Sequence, residues 1–476
     1  MMKNLFSTTR IPVCSGFKQS PLLRHFKQGE DGNVTVLSLA LIAILGILAS
    51  VAWDMNGNEF HRVRMQNTAD RAVLAAADLD QTLSPDEVVR DYFDKAGYPT
   101  LVTGVNISEG LNFRTVSVSS AGIMETDFIK GQGGEREMLV NVFSEAEERV
   151  NNVEISMVLD ISGSMSEGSK MSNLRDAAST FVDTVITEET KDLVSLSVVP
   201  YSEHVSAGPE IMSKFNVDWD HSYSHCMEFS EADFDRSDLR RDKTYDQVQH
   251  FQWGYNGYNN DRSTPVCPIG ADEDVVAFSQ NASDLKYKIG RLVPRGSTSI
   301  FAGMKWATGL LDPDFRTINQ QLIQDGDADP AFSARPAAFD DHETLKTVIL
   351  MTDGQNHYSY RIDDRYYANS SHVAHWNRYN LNWYLSRYVS SRYHDNFKYV
   401  KYWPDYGDTL LDKVCDAAKE KNIVIWSIGF EVSDHGADVM RNCASSPSHF
   451  FRVEGVEIKE AFKAIARQIN QLRLTQ

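Results

Sequence analysis

Apolar and polar positions divide this chain into stretches of different period. Residues 33–53 run about twenty positions without a charge, long enough to cross a bilayer as a helix. Residues 58–80 continue helically through an alanine-rich run at 69–77 with high helix propensity, which predicts a stalk over 54–82. Ser84-Pro85-Asp86-Glu87 has the cap, first-turn proline and acidic start of a helix through 88–96. Alternation at 115–119 and 138–143 then predicts strands, so 83–150 reads as a small α+β spacer. Beyond 151 the apolar runs lose their alternation. Residues 155–159, 193–200, 346–351, 423–428 and 449–453 read as strands, near-continuous runs such as 155–159 being covered on both faces, and 170–186, 409–421 and 457–472 as helices. Strands alternating with helices predict an α/β fold, a doubly wound and mostly parallel sheet covered on both sides.

In such sheets ligands bind beyond the carboxyl ends of the strands, and two of these strands end in aspartate, Asp160 and Asp353. Asp160 opens the spacing Asp-x-Ser-x-Ser with Ser162 and Ser164, and Gly163 between them allows a tight backbone. Thr298 lies in Arg295-Gly296-Ser297-Thr298-Ser299, just ahead of a helical pattern. Small oxygen ligands on one turn suit a hard divalent cation such as Mg²⁺. The set resembles the metal-ion-dependent adhesion site of von Willebrand factor type A domains. In that family the two serines and the threonine coordinate the ion, and the two aspartates bind it directly or through water. The resemblance implies that Asp160, Ser162, Ser164, Thr298 and Asp353 bind a divalent cation, Mg²⁺ being the expected one, and that a protein partner supplies an acidic residue to it.

Gly32-Asn33-Val34-Thr35-Val36, the apolar span to Trp53-Asp54, and residues 65–77 resemble the N-terminal segment of TadG-like proteins of the Flp (Tad) pilus-assembly system. That family joins a pilin-like helix to a type A domain. It implies partners among pilus-assembly or envelope proteins. Small residues Ala40, Ala43, Gly46 and Ser50 give the span a face for close helix packing. Five basic residues precede it, Lys3, Arg10, Lys18, Arg24 and Lys27, with Glu30 and Asp31 the only acids there. The positive-inside rule then predicts a single-pass inner-membrane protein, its N-terminus (1–32) cytoplasmic and its type A domain (151–476) periplasmic. Cleavage of the leader before Glu30 or nearby by a prepilin-type peptidase would instead let the helix leave the membrane.

Net charge is −19 overall, and the leader's +3 leaves −22 beyond it, which argues against a nucleic-acid partner. Of five cysteines, Cys14 lies in the leader. Cys226, Cys267, Cys415 and Cys443 form an even set for an oxidising compartment, and local pairing is expected because the first two share one insertion and the last two flank one strand. Insertions are expected at about 206–279, 311–342 and 355–408. The third holds more than half of all 19 tyrosines, with Trp376, Trp383 and Trp403. Tyr358, Tyr360, Tyr366, Tyr367, Trp376 and Trp383 are therefore candidates for a partner surface, the other reading being a lid with its own core. His372 and His375 lack the glutamate and spacing of a zinc protease, and neither a phosphate-binding loop nor a Gly-x-Ser-x-Gly elbow occurs. A binding protein, not an enzyme, is the expectation. Its alternatives are an envelope-associated metal-dependent enzyme and a displayed surface adhesin.

Overall fold

In the computed structural model, residues 33–78, 81, 83–109, 113–125, 137–149, 152–254, 259–341 and 343–475 are described. The basic leader with Cys14 and Gly32 lies outside them. The chain forms two compact units, Met1–Glu148 and Arg149–Gln476.

In the first unit α1 (Asn33–Ala77) is one continuous helix. Its opening half exposes Val34, Leu37, Leu41, Ile44 and Leu48, and among the described residues it is the one helix long and apolar enough to cross a membrane. Its closing half buries Met65, Ala69, Ala72, Val73 and Ala76, steps of three and four that fall on one face. That face packs on α2 (Pro85–Lys95), through Val88, Val89 and Phe93, and on the sheet β1 (Val102–Glu109), β2 (Phe113–Glu125) and β3 (Glu137–Arg149). The expected stalk is thus corrected. The alanines let the helix approach the sheet closely, so they form the core of the spacer rather than a free rod. β1 escaped the sequence reading because Gly104, Asn106 and its largely exposed positions blur the alternation.

The second unit begins with β4 (Asn152–Asp160), α3 (Lys170–Val185) and β5 (Val194–Tyr201). The first insertion carries α4 (Gly208–Met212), β6 (Asn216–Asp218) and β7 (Thr244–Asp246), and is followed by β8 (Val276–Ser279), α5 (Ala282–Arg291), α6 (Ile300–Leu311) and α7 (Arg316–Asp325). Next come β9 (Thr344–Thr352), β10 (Ser359–Ile362), α8 (Ser370–Arg378), α9 (Leu381–Tyr388) and β11 (Lys398–Tyr402). The chain ends with α10 (Pro404–Glu420), β12 (Val424–Phe430), α11 (Asp434–Cys443), β13 (Phe450–Val453) and α12 (Glu457–Thr475).

The main sheet has the order β13-β12-β9-β4-β5-β8, parallel except for β8, which runs antiparallel beside β5. Side chains alternate across β4. Val153, Ile155, Met157 and Leu159 meet α3, α5 and α12 on one face, and Val158 meets α6 and the α10–α11 side on the other. This is the doubly wound sheet expected from the sequence. β8 is a correction, since 206–279 was expected to be insertion to its end. A four-residue strand tucked against an edge leaves too short a run to read.

The first and third insertions fold together. Cys226, Val248, Phe251 and Cys267 share a small core with Ile362, Tyr367, Val373, Trp376, Leu381 and Leu385. Disulfides join Cys226 to Cys267 and Cys415 to Cys443, the latter tying α10 to α11. Tyr367 and Trp376, candidates for a partner surface, are buried at 7% and 3% exposure and belong to this core. Their polar tips are used inside it: the His250 N–H donates to the Tyr367 hydroxyl at 2.7 Å, and Trp376 Nε1–H donates to the Tyr366 carbonyl at 2.8 Å. Tyr358 is exposed, while Tyr360, Tyr366 and Trp383 are half-buried.

Candidate metal-binding site

Four loops meet at the carboxyl end of the sheet, and backbone hydrogen bonds register them. Ile161 N–H donates to the Tyr201 carbonyl at 2.8 Å, and Arg295 N–H donates to the Ile161 carbonyl at 2.8 Å. Gly163 N–H reaches the Gly296 carbonyl at 3.0 Å, and His357 N–H the Thr298 carbonyl at 2.9 Å. Gly296 has φ +78°, a left-handed conformation that costs a side-chain-bearing residue energy and turns its carbonyl toward Gly163. Asn356 caps the start of α6 by accepting the Ile300 N–H at 2.8 Å.

Within this frame Asp160 is fully buried. Its Oδ1 accepts the Ser162 N–H at 2.7 Å, and its Oδ2 accepts from the Thr352 hydroxyl at 2.7 Å and the Tyr201 hydroxyl at 3.1 Å. Ser162 Oγ and Ser164 Oγ lie 3.0 Å apart, and Ser164 donates to Asp353 Oδ1 at 2.6 Å. Lys170, at the start of α3, donates to Asp353 Oδ2 at 3.0 Å. Thr298 is buried at 7% exposure, and among the described residues its hydroxyl has no hydrogen-bond partner. Burial first, then the neighbouring Asp353 charge, push the Asp160 carboxyl up to about 6. For Lys170 burial works downward, but its bond to Asp353 outweighs it and the pKa is raised.

The candidate donor set is therefore all oxygen: two carboxylates, with Asp353 raising the cost of charging Asp160, and three small hydroxyls. Its chemistry fits a hard divalent cation, which would relieve the carboxylate repulsion. Sequence reasoning missed Tyr201, Thr352 and Lys170. Thr352 stood beside Asp353 in the chain, but only strand pairing brings Tyr201 to Asp160, where β4 and β5 are in register.

The turn after β5 ties this site to the insertion lobe. Glu203 accepts from the Ser359 hydroxyl at 2.7 Å and from Trp253 Nε1–H at 3.0 Å. Burial raises its carboxyl to about 7 against the pull of Ser359, Arg361 and Trp253. Arg361 donates to His204 Nε2 at 2.6 Å and to Glu228 Oε2 at 2.7 Å. Burial drives the His204 imidazole down to about 3, with Arg361 adding to the effect; burial also works to raise Glu228, but Arg361, His204 and Lys401 outweigh it and hold that carboxyl at about 2.

The sheet order and the loop set at its carboxyl edge define a von Willebrand factor type A fold. Residues 32–79 match the family model described as "Putative Flp pilus-assembly TadE/G-like". That match covers the N-terminal segment alone, and the unit that follows has the α/β sheet described above. Among solved structures, similarity is found to the von Willebrand domain of the type V pili tip protein Mfa5 from Porphyromonas gingivalis, at 14% identity and TM-score 0.36, covering 69% of this chain and 97% of that one. The pilus adhesin SpaC from Lactobacillus rhamnosus GG is similar at 11% identity and TM-score 0.34, over 77% of this chain and 33% of that one. The adhesive tip pilin GBS104 from Group B Streptococcus agalactiae is similar at 11% identity and TM-score 0.33, over 67% and 100%. No curated protein sequence matches the chain.

Proposed function

We propose that Asp160, Ser162, Ser164, Thr298 and Asp353 hold a divalent cation, Mg²⁺ foremost, and that a protein partner completes its coordination with an aspartate or glutamate. The observation that carries this reading is Thr298, on a loop zipped by backbone hydrogen bonds to those of Asp160 and Asp353, the two carboxylates being connected through Ser162 and Ser164. Binding is then coordination: the protein fills most positions around the ion, the partner fills the rest, and chelation breaks the bond. The TadE/G-like segment supports a setting in Flp-type pilus assembly, with other pilus or envelope proteins as partners. An apolar α1, a basic leader and two disulfides together support a bacterial inner-membrane anchor with the N-terminus cytoplasmic and the type A domain periplasmic.

The enzymatic alternative draws less support. The serine–histidine pair next to Thr298, Ser297 and His357 at 3.3 Å, has its buried hydroxyl committed to the Tyr358 carbonyl at 3.0 Å.

Thermal melting and titration calorimetry of the full chain in detergent test the ion. Mg²⁺ at a hundred times its dissociation constant is expected to stabilise the type A unit by about 2.7 kcal/mol over chelator. Thr298→Val should melt like the native chain in chelator and lose most of that gain. Absence of any Mg²⁺ heat or shift in the native chain rejects the reading. Retention of isolated pilus and envelope components should require both metal and native Asp160.

A further inference from the structure

On a chain of net charge −19, residues 366–394 contain no Asp, Glu or Lys. They hold Arg378, Arg387 and Arg392, all exposed, and among the described residues none of the three forms an ion pair. Each lies on an aromatic ring instead: Arg378 on Tyr379 with 5.6 Å to the centroid, Arg387 on Trp383 with 5.7 Å, and Arg392 on Tyr393 with 4.7 Å. Tyr379 and Trp383 are themselves parallel, 5.8 Å apart with 7° between their planes. The order is a ladder, Arg378, Tyr379, Trp383, Arg387. Behind it Val373, Trp376, Leu381 and Leu385 are anchored in the core that the Cys226–Cys267 disulfide staples.

Stacking on a ring holds a guanidinium's plane and leaves its N–H edge free for a carboxylate fork. Tyr379 and Trp383 are partnered with each other and with the arginines. What the surface offers is guanidinium edges, hydroxyls and amides. Tyr, Ser, Asn and Arg dominate 369–393, the composition of rigid protein-recognition surfaces, which are depleted in Lys, Glu and Asp. We propose that the surface of α8, α9 and the turn that follows them, through Arg378, Arg387 and Arg392, is a docking surface for an acidic protein segment, independent of the ion proposed at Asp160.

Fluorescence anisotropy of a labelled polyglutamate peptide with the full chain in detergent tests this in the presence of chelator, so that failure of the metal reading cannot be mistaken for failure here. Binding is expected to weaken with salt, to be unchanged in Asp160→Ala, and to fall about tenfold or more in Arg378→Ala/Arg387→Ala/Arg392→Ala. The corresponding triple lysine variant keeps the charge and loses the stacked fork, and should fall between the two; its near-native charge also covers the case in which the alanine variant misfolds. Lack of polyglutamate binding, equal binding by the alanine variant, native binding by the lysine variant, or tighter binding of the polyuronate alginate would each overturn the proposal.

Discussion

Lys170 sets the charge of the site at the scale of one residue. Its side chain is 12% exposed and its ammonium faces a fully buried Asp353 carboxylate. A fixed positive charge beside the proposed cation site would oppose loading while stabilising the protein without the ion. Lys170→Met is therefore expected to raise Mg²⁺ affinity about tenfold by calorimetry, and to cost about 1–3 kcal/mol in urea melts in chelator, the penalty of leaving a buried acceptor unpaired. Glu203 carries a second expectation. It holds its proton to about 7 in the folded chain against 4.5 ordinarily, so between those values the folded state binds more protons than the unfolded one. Its contribution is thus intact below 4.5 and lost as pH rises toward about 7, a change of about 3 kcal/mol at most. Urea midpoints at pH 5 and 7.5 should converge in Glu203→Gln relative to the native chain. The five proposed oxygen donors come from short motifs in the sequence. Lys170, Tyr201 and Thr352 are not, since nothing local distinguishes a lysine or tyrosine that folding will turn toward a carboxylate.

At the scale of the element, α6 is the helix on which the site rests. Every residue from Ile300 to Leu311 is buried, Lys305 included, its ammonium donating to the Arg236 and Asp238 carbonyls at 2.8 and 2.7 Å. A helix buried all round is one with protein on all sides, here the sheet on one flank and the first insertion on another. Gly303 permits the close approach: a Cβ there would stand 2.7 Å from Val158 Cγ1 and 2.9 Å from the Tyr201 ring. Gly303→Ala should cost about 1–3 kcal/mol by overpacking, and because it displaces the tyrosine that donates to Asp160, it should weaken Mg²⁺ binding as well. A Gly309→Ala control presses on Leu239 instead and should destabilise without that second effect. Long elements with clear periods are legible in the sequence: β4, β9, β12, α3 and α12 fall within a few residues of their expected bounds. Short or edge elements such as β1 and β8 are not, for their identity comes from a neighbouring strand and not from their own pattern.

For the whole molecule, the insertions matter most. The first and third share one core that the Cys226–Cys267 disulfide staples, so they are not loose additions. Removing either disulfide by paired Cys→Ala substitution should lower stability by about 3–4 kcal/mol on loop entropy for sequence separations of 41 and 28. The consequences should differ. Loss of Cys226–Cys267 loosens the core behind Trp376 and should weaken polyglutamate binding, whereas loss of Cys415–Cys443 releases α10 from α11 and should leave that binding intact.

Sequence alone determined the apolar stretch that opens α1, the alternation that makes a covered parallel sheet, the hydroxyl and carboxylate motifs at its carboxyl edge and the local pairing of cysteines. All of these are local patterns whose physics is complete within one element or one turn. Tertiary structure decided the rest. It turned the expected stalk into a core, because alanine spacing is silent about what a helix packs on. It buried Tyr367 and Trp376 while leaving Tyr358 outside, because an aromatic residue suits a core and a contact surface equally well. It also set Arg378 and Arg387 on the outer rings of a ladder, an arrangement that depends on which faces two short helices turn to a disulfide-stapled core.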